Sequence, residues 1–163
     1  MNLKLQLSHS KARQFAYNLW GTVNGSYKTN RKGVYYFHCA GHGGYIVDGM
    51  ALTKPEQELI NKDMPPHYTV VSYNINTGEN VKMFNPFSFR SHQITYKPSC
   101  ESYMENYPIY VFEEDCDWSI LEHHTDIRIA EKFRENHDES IIGKTYSWLM
   151  ELRTKYEQGL HDY

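Results

Sequence analysis

Apolar residues along the first part of the chain recur near helical spacing and then give way to a polar, glycine-rich stretch. The apolar positions over residues 10–20 predict a helix, and Ser8 or Ser10 stands where its N-cap belongs. The segment 21–33 is rich in Gly, Asn and Ser, which predicts turns and a hairpin-like loop. The chain therefore begins with a helix and a turn region.

Runs of β-branched and aromatic residues then predict strands. They cover residues 34–39, 45–47, 68–73, 81–84, 92–97 and 107–113. The alternation within 92–97 favours a position at the edge of the sheet. Between the strands, Thr53 and Glu56 match a capping box with Pro55 in the first turn, which predicts a short helix.

Helical spacing returns from about Asp115. One helix is predicted from 118 to 133 and a second from 141 to 156, with Asp138 as the N-cap of the second. The apolar residues of the second helix suit either covering the sheet or pairing with another copy. The pattern predicts an α+β fold, in which an N-terminal helix and two C-terminal helices pack on a mostly antiparallel sheet.

A single domain over 1–163 accommodates these elements. We place a motif-bearing core at about 10–120 and a C-terminal helical pair at about 115–160, because no linker long enough to divide the chain is present.

Composition limits the kinds of binding partner and the cellular compartment that we expect for this chain. The formal net charge of −3 provides no positive field for nucleic acid, so direct nucleic-acid binding is not expected. Three cysteines without a repeated spacing argue against a disulfide framework and for a reducing compartment. No apolar run reaches membrane-spanning length and the N-terminus lacks a signal-peptide core, so we expect a cytoplasmic protein that does not bind membranes.

The first candidate site is the stretch C-A-G-H-G-G-Y-I-V-D-G, residues 39–49, at the end of a predicted strand. Its glycines permit positive φ and the close approach of another chain or a ligand. His42 is therefore either a functional side chain or part of a tight turn, in which it bonds a neighbouring carbonyl.

The second candidate site is E-E-D-C-D-W, residues 113–118, where a strand meets a helix. Strand alternation sends Glu113 and Glu114 to opposite faces of the sheet. Helix capping explains one or two of the four acids, but not all four, because carboxylates this close repel each other.

These two motifs allow three kinds of chemistry. His42, Asp115 and Cys116 are the candidate catalytic residues, although a cysteine protease is disfavoured because neighbouring carboxylates disfavour the thiolate. With a divalent ion such as Mg²⁺ or Mn²⁺, Asp115 and Asp117 would be the metal ligands, and His42 a base or a further ligand. Alternatively, His42 bonds Glu114 or Asp115 and only pins the strand to the helix.

Other motifs add little. His123 and His124 are adjacent on a predicted helix and diverge by about 100°, which indicates a solvated helix face and not a pair of ligands. No P-loop, G-x-G-x-x-G, G-x-S-x-G or C-x-x-C motif occurs.

Three segments together resemble an uncharacterised domain family of phage, plasmid and prophage proteins. They are L-W-G-T (19–22), G-V-Y-Y-F-H-C-A-G-H-G-G-Y-I-V (33–47) and Y-V-F-E-E-D-C-D-W-S-I (110–120). The residues that carry over are His42, Gly43, Gly44, Glu113, Glu114, Asp115, Cys116, Asp117 and Trp118. Gly41 stands where the family more often has Ser, and the resemblance ends before the C-terminal helices.

The resemblance implies a small accessory protein of a phage or mobile element, acting in the host cytoplasm. The first hypothesis is a non-catalytic binder or inhibitor of a host protein or ribonucleoprotein, such as a defence or CRISPR-type component, with no cofactor. Its acidic and aromatic surface would comprise Glu113, Glu114, Asp117, Trp118, Gly43 and Gly44. The alternative is a metal-assisted nuclease or phosphodiesterase that uses His42 with Glu114, Asp115 and Asp117.

Overall fold

The computed structural model describes residues 5–63, 71–73, 92–96, 107–130 and 138–158. The elements in chain order are α1 His9–Trp20, β1 Val23–Tyr27, β2 Val34–Cys39, β3 Gly43–Asp48, a 3₁₀ turn Gly49–Ala51, α2 Lys54–Asp63, β4 Val71–Tyr73, β5 His92–Tyr96, β6 Tyr107–Glu113, α3 Trp118–His124 and α4 Glu139–Glu157. The strand predicted over 81–84 lies outside the described residues.

The strands form one sheet in the order β1-β2-β3-β6-β5-β4. Neighbouring strands are antiparallel except β4 and β5, which are parallel. The α+β fold with a mostly antiparallel sheet, an N-terminal helix and two C-terminal helices is therefore confirmed. The edge position predicted for 92–97 is wrong, because β5 lies between β6 and β4.

One face of the sheet is covered by α1. The Ser8 side chain accepts a hydrogen bond from the Lys11 amide and caps the helix, which ends at Gly21 with a φ of 84°. Its buried face includes Phe15 and Trp20, which belong to one apolar cluster with Phe37, Cys39, Ile46, Ile109 and Val111 of the sheet. The helix predicted over 10–20 is thus confirmed, with Ser8 and not Ser10 as its N-cap, and burial of this face anchors it to the central strands.

The other face is covered by α2, α3 and α4. The predicted capping box is present, since the Thr53 amide donates to Glu56 Oε1 at 2.8 Å and the Glu56 amide donates to Thr53 Oγ1 at 3.3 Å. Asp138 caps α4 by accepting from the Ile141 amide at 2.9 Å. The helices share a core with the sheet through Val34, Tyr36, Tyr45, Val47, Leu52, Ile60, Tyr110, Phe112, Trp118, Ile120, Leu121, Ile142 and Leu149. Ile142 and Leu149 of α4 take part in covering this core, which is one of the two roles suggested for the second C-terminal helix.

Two predictions about local structure are wrong in part. Residues 28–33 join β1 and β2 as a hairpin loop, but residues 23–27 form the strand β1, which pairs with β2 although its sequence V-N-G-S-Y has few apolar residues. The helix predicted over 118–133 ends at His124, because the next segment is extended and pairs with the loop after β1. The Ala130 amide donates to the Lys28 carbonyl at 2.8 Å, and the Asn30 amide donates to the Arg128 carbonyl at 3.1 Å.

In the part of the chain that the structure describes, no helix is long and apolar enough to cross a membrane.

Candidate functional site

The candidate site begins with two glycines at the start of β3. A Cβ on Gly44, which has a φ of +146°, would lie 2.1 Å from the Phe112 carbonyl oxygen. A Cβ on Gly43 would lie 2.5 Å from the Phe37 carbonyl oxygen and 2.8 Å from Glu114 Oε2. The glycines therefore let β3 pass closely between β2 and β6, and side chains would prevent this approach.

The strand register then brings His42 to the acidic segment. Gly44 pairs with Glu113 at the end of β6, and the Glu114 amide donates to the Gly43 carbonyl at 2.8 Å. On its other side, the tight β2–β3 turn is closed by the Cys39 amide, which donates to the His42 carbonyl at 2.9 Å. The two motifs are neighbours in space because they flank adjacent central strands.

His42 contacts Glu113. Its Nδ1 lies 2.8 Å from Glu113 Oε1, and the exposed fractions of the two side chains are 47% and 7%. The sequence predicted this bond for Glu114 or Asp115, whereas the structure shows a contact with Glu113, which the register puts opposite Gly44. A buried carboxylate that bonds one ring nitrogen fixes the orientation of the imidazole.

Asp115 completes a group of three possible ligands. One donor atom from each of His42, Glu113 and Asp115 lies within 4.8 Å of the other two, with His42 and Asp115 exposed and Glu113 buried. An imidazole nitrogen and two carboxylate oxygens are a donor set that suits Mn²⁺ or Zn²⁺. The geometry is thus compatible with one divalent ion at the surface end of β6.

The remaining residues of the acidic segment point elsewhere. Asp117 is fully buried and Trp118 is 4% exposed, so neither is available to a partner surface. The predicted ligand pair of Asp115 and Asp117 stays a prediction, and among the described residues the donor atoms that converge are those of His42, Glu113 and Asp115. The half-buried Cys116 thiol donates to Asp117 Oδ1 at 3.6 Å, the opposite of the arrangement that activates a cysteine nucleophile.

Glu114 affects the groups on β2. Burial raises the pKa of Tyr36, and the negative charge of Glu114 raises it further. The pKa of the Cys39 thiol is also raised by burial and by Glu114, although Arg13 opposes the shift. Both groups are therefore protonated at neutral pH, which leaves the imidazole and carboxylates as the reactive side chains of this end of the sheet.

A second polar cluster, not predicted from the sequence, joins α2, α3 and α4. Asp63 Oδ2 contacts His124 Nε2 and accepts a hydrogen bond from the Tyr146 hydroxyl at 2.6 Å. His123 stacks on Tyr146 with ring centroids 3.7 Å apart, and its pKa is lowered by burial and by the charge of His124, against an opposing effect of Asp63. The solvated face predicted for His124 is wrong, since its side chain is 12% exposed. Asp63 and Tyr146 are too far apart in sequence for a local pattern to reveal the contact.

No protein-family model, curated protein or solved structure matches this chain.

Proposed function

We propose that His42, Glu113 and Asp115 bind one divalent metal ion and that the protein is a metal-assisted hydrolase. The observation that carries this proposal is the convergence of three donor atoms within 4.8 Å of one another. Mn²⁺ and Zn²⁺ accept imidazole together with carboxylate, whereas Mg²⁺ and Ca²⁺ prefer oxygen ligands. We therefore expect Mn²⁺ or Zn²⁺ to bind more tightly than Mg²⁺.

The placement of the three side chains supports a catalytic use of the ion. Glu113 is held at the end of a central strand and is 7% exposed, so it is a rigid ligand, while the half-exposed His42 borders solvent. Three protein ligands leave coordination positions for water and substrate, and a bound ion would lower the pKa of that water. It would also relieve the repulsion between Glu113 and Asp115.

A phosphodiester or another phosphate ester is the substrate class that we propose. Without a cation, the carboxylates of 113–117 repel an anionic substrate, and a divalent ion offsets that charge. The nuclease or phosphodiesterase alternative thus becomes the leading hypothesis, with Glu113 in place of Glu114 and Asp117.

Hydrolysis of bis(p-nitrophenyl) phosphate tests this function. We expect wild-type protein to hydrolyse it with Mn²⁺ present and not after chelation. Asp115→Asn should lower kcat/KM by at least about tenfold, because it removes an exposed ligand. Glu58→Gln changes an exposed carboxylate on α2 and is the matched control. Equal rates in Asp115→Asn and wild type, or no hydrolysis by wild type with Mn²⁺, Zn²⁺ or Mg²⁺, would overturn the assignment.

A non-catalytic binder of a host factor is the second candidate, in line with the resemblance to proteins of mobile elements. Large side chains at the surface favour it, since Tyr17 is 59% exposed and Leu59 is 43% exposed. Asp115 is an exposed acid. A host-cell pull-down that loses a specific partner with Asp115→Lys but not with Glu58→Lys, and that does not respond to Mn²⁺, would favour this candidate over the hydrolase.

A further inference from the structure

The outward face of α4 carries an exposed tryptophan. Trp148 is 54% exposed, whereas Ile142 and Leu149 of the same helix are buried in the core shared with the sheet. More than half of the Trp148 side chain therefore lies outside the packed face of this helix. Tryptophan is also among the residues that contribute most to the binding energy of protein interfaces.

The neighbours of Trp148 form a continuous exposed stripe. Ser140, Lys144, Ser147, Glu151 and Lys155 are all exposed and recur at three- or four-residue intervals, so they share one side of the helix. Gly143 and Ser147 line a shallow concave surface together with Trp148. A Cβ on Gly143 would meet nothing within 4 Å, so there is room for a large side chain beside the helix.

The charges on this stripe are complementary to those of a second α4 that runs antiparallel to it. Lys144 and Glu151 lie at equal distances in sequence on either side of the Ser147–Trp148 peptide bond. If two α4 helices pack antiparallel about a twofold axis at this point, Lys144 of each copy faces Glu151 of the other. A twofold interface repeats every contact, so both ion pairs form together.

We propose that this face of α4 is the interface of a twofold dimer of the chain, in which Trp148 of each copy packs against the small residues of the other α4. The interface consists of one helix from each copy, so it belongs to the small and reversible class. The proposal is independent of the metal site, because none of its residues belongs to that site.

Sedimentation velocity over about 1 to 300 μM protein at low salt tests the interface. We expect wild type to show a monomer–dimer equilibrium and Trp148→Ala to raise its dissociation constant by about tenfold or more. Tyr17→Ala removes an equally exposed aromatic side chain from α1 and should leave the equilibrium unchanged.

Charge reversal tests the antiparallel register. Lys144→Glu and Glu151→Lys should each weaken the dimer. The double variant Lys144→Glu/Glu151→Lys should dimerise more tightly than either single variant, because opposite charges face each other again. The comparison with Glu151→Lys is needed because Glu151 also pairs with Lys155 of its own helix at 3.4 Å. A monomeric wild type, a dimer that Trp148→Ala does not weaken, or a double variant no stronger than the single ones would overturn the proposal.

Discussion

At the scale of single residues, Gly44 is the position on which the site depends most. Its backbone is in a region that side chains rarely adopt, and an added Cβ would overlap the Phe112 carbonyl at 2.1 Å. We expect Gly44→Ala to lower the free energy of unfolding by about 3 kcal/mol. Gly41 has open space around it, so Gly41→Ala should change stability by less than about 0.5 kcal/mol. Urea unfolding measures both, and equal effects would contradict the close approach of β3 to β6.

A second prediction at this scale concerns Glu56. Arg31 donates to both carboxylate oxygens, at 2.7 and 3.1 Å. Burial raises the pKa of Glu56, but the hydrogen bonds from Arg31 and Thr53 outweigh it, so the pKa lies below its ordinary value of 4.5. The folded carboxylate therefore stabilises the protein above the pKa of the unfolded state, and this contribution is lost as the pH falls through the folded pKa.

Glu56→Gln should accordingly flatten the fall in unfolding free energy between about pH 5 and pH 3. Glu58→Gln is the control, since Glu58 is exposed on the same helix. If the unfolding free energy falls as steeply with decreasing pH in Glu56→Gln as in wild type, this linkage is ruled out.

At the scale of elements, the end of α3 depends on a side chain outside the helix. Nη1 of Arg128 donates to the carbonyls of Glu122, Thr125 and Ile127 at 2.9, 3.1 and 2.6 Å. Nε of Arg128 lies 4.0 Å from Oε1 of Glu122, whose side chain is 0% exposed. Arg128 thus binds one carbonyl in the last turn of a short helix and two carbonyls beyond its end, and it balances a buried carboxylate.

Arg128→Met should lower the free energy of unfolding by about 3 kcal/mol, because it leaves the Glu122 charge buried without this arginine. Arg128→Met/Glu122→Gln should recover part of that loss, since the charge is then absent. Guanidinium unfolding of the single and double variants measures the coupling. Strictly additive effects would show that the two side chains do not interact.

The elements that the sequence predicted well are those set by local chemistry. Three helix starts depend only on residues within one helical turn. They are the cap of α1 at Ser8, the capping box of Thr53 and Glu56, and the cap of α4 at Asp138. β1 was missed because its polar sequence is held by pairing with β2. α3 was predicted too long because Ile127, which is buried in the extended segment, also matched the helical spacing.

The same division applies to the site. Both motifs and the freedom provided by Gly43 and Gly44 were recognisable from the sequence. The contact of His42 with Glu113 was not, because it depends on the register between β3 and β6. A shift of one residue would have turned a different carboxylate towards the ring.

At the scale of the whole molecule, helices on both faces of the sheet fix the strands that carry the candidate metal ligands. β3 and β6 lie between helical layers, with α1 on one face and α2, α3 and α4 on the other. Glu113 is the last residue of a strand within this core, and His42 lies in a tight turn between two strands. Two of the three candidate ligands are therefore not on a long loop. Ligands fixed in this way lose little freedom when an ion binds.

Binding of an ion to the folded chain should therefore stabilise it. At a free Mn²⁺ concentration about one hundred times the dissociation constant, mass action adds about 2.7 kcal/mol to the free energy of unfolding. Thermal unfolding with and without Mn²⁺ measures this gain, and Asp115→Asn should abolish most of it. A gain that persists in Asp115→Asn would place the ion elsewhere.

The most direct test of the metal site is calorimetric titration of the full chain with Mn²⁺. We predict one ion per chain for wild type and for Glu58→Gln, and a dissociation constant at least about tenfold higher for His42→Ala and Asp115→Asn. Far-ultraviolet circular dichroism of each variant confirms that it is folded. Absence of Mn²⁺ binding by wild type would contradict the assignment of these residues as ligands. So would folded His42→Ala and Asp115→Asn variants that bind Mn²⁺ as tightly as wild type does.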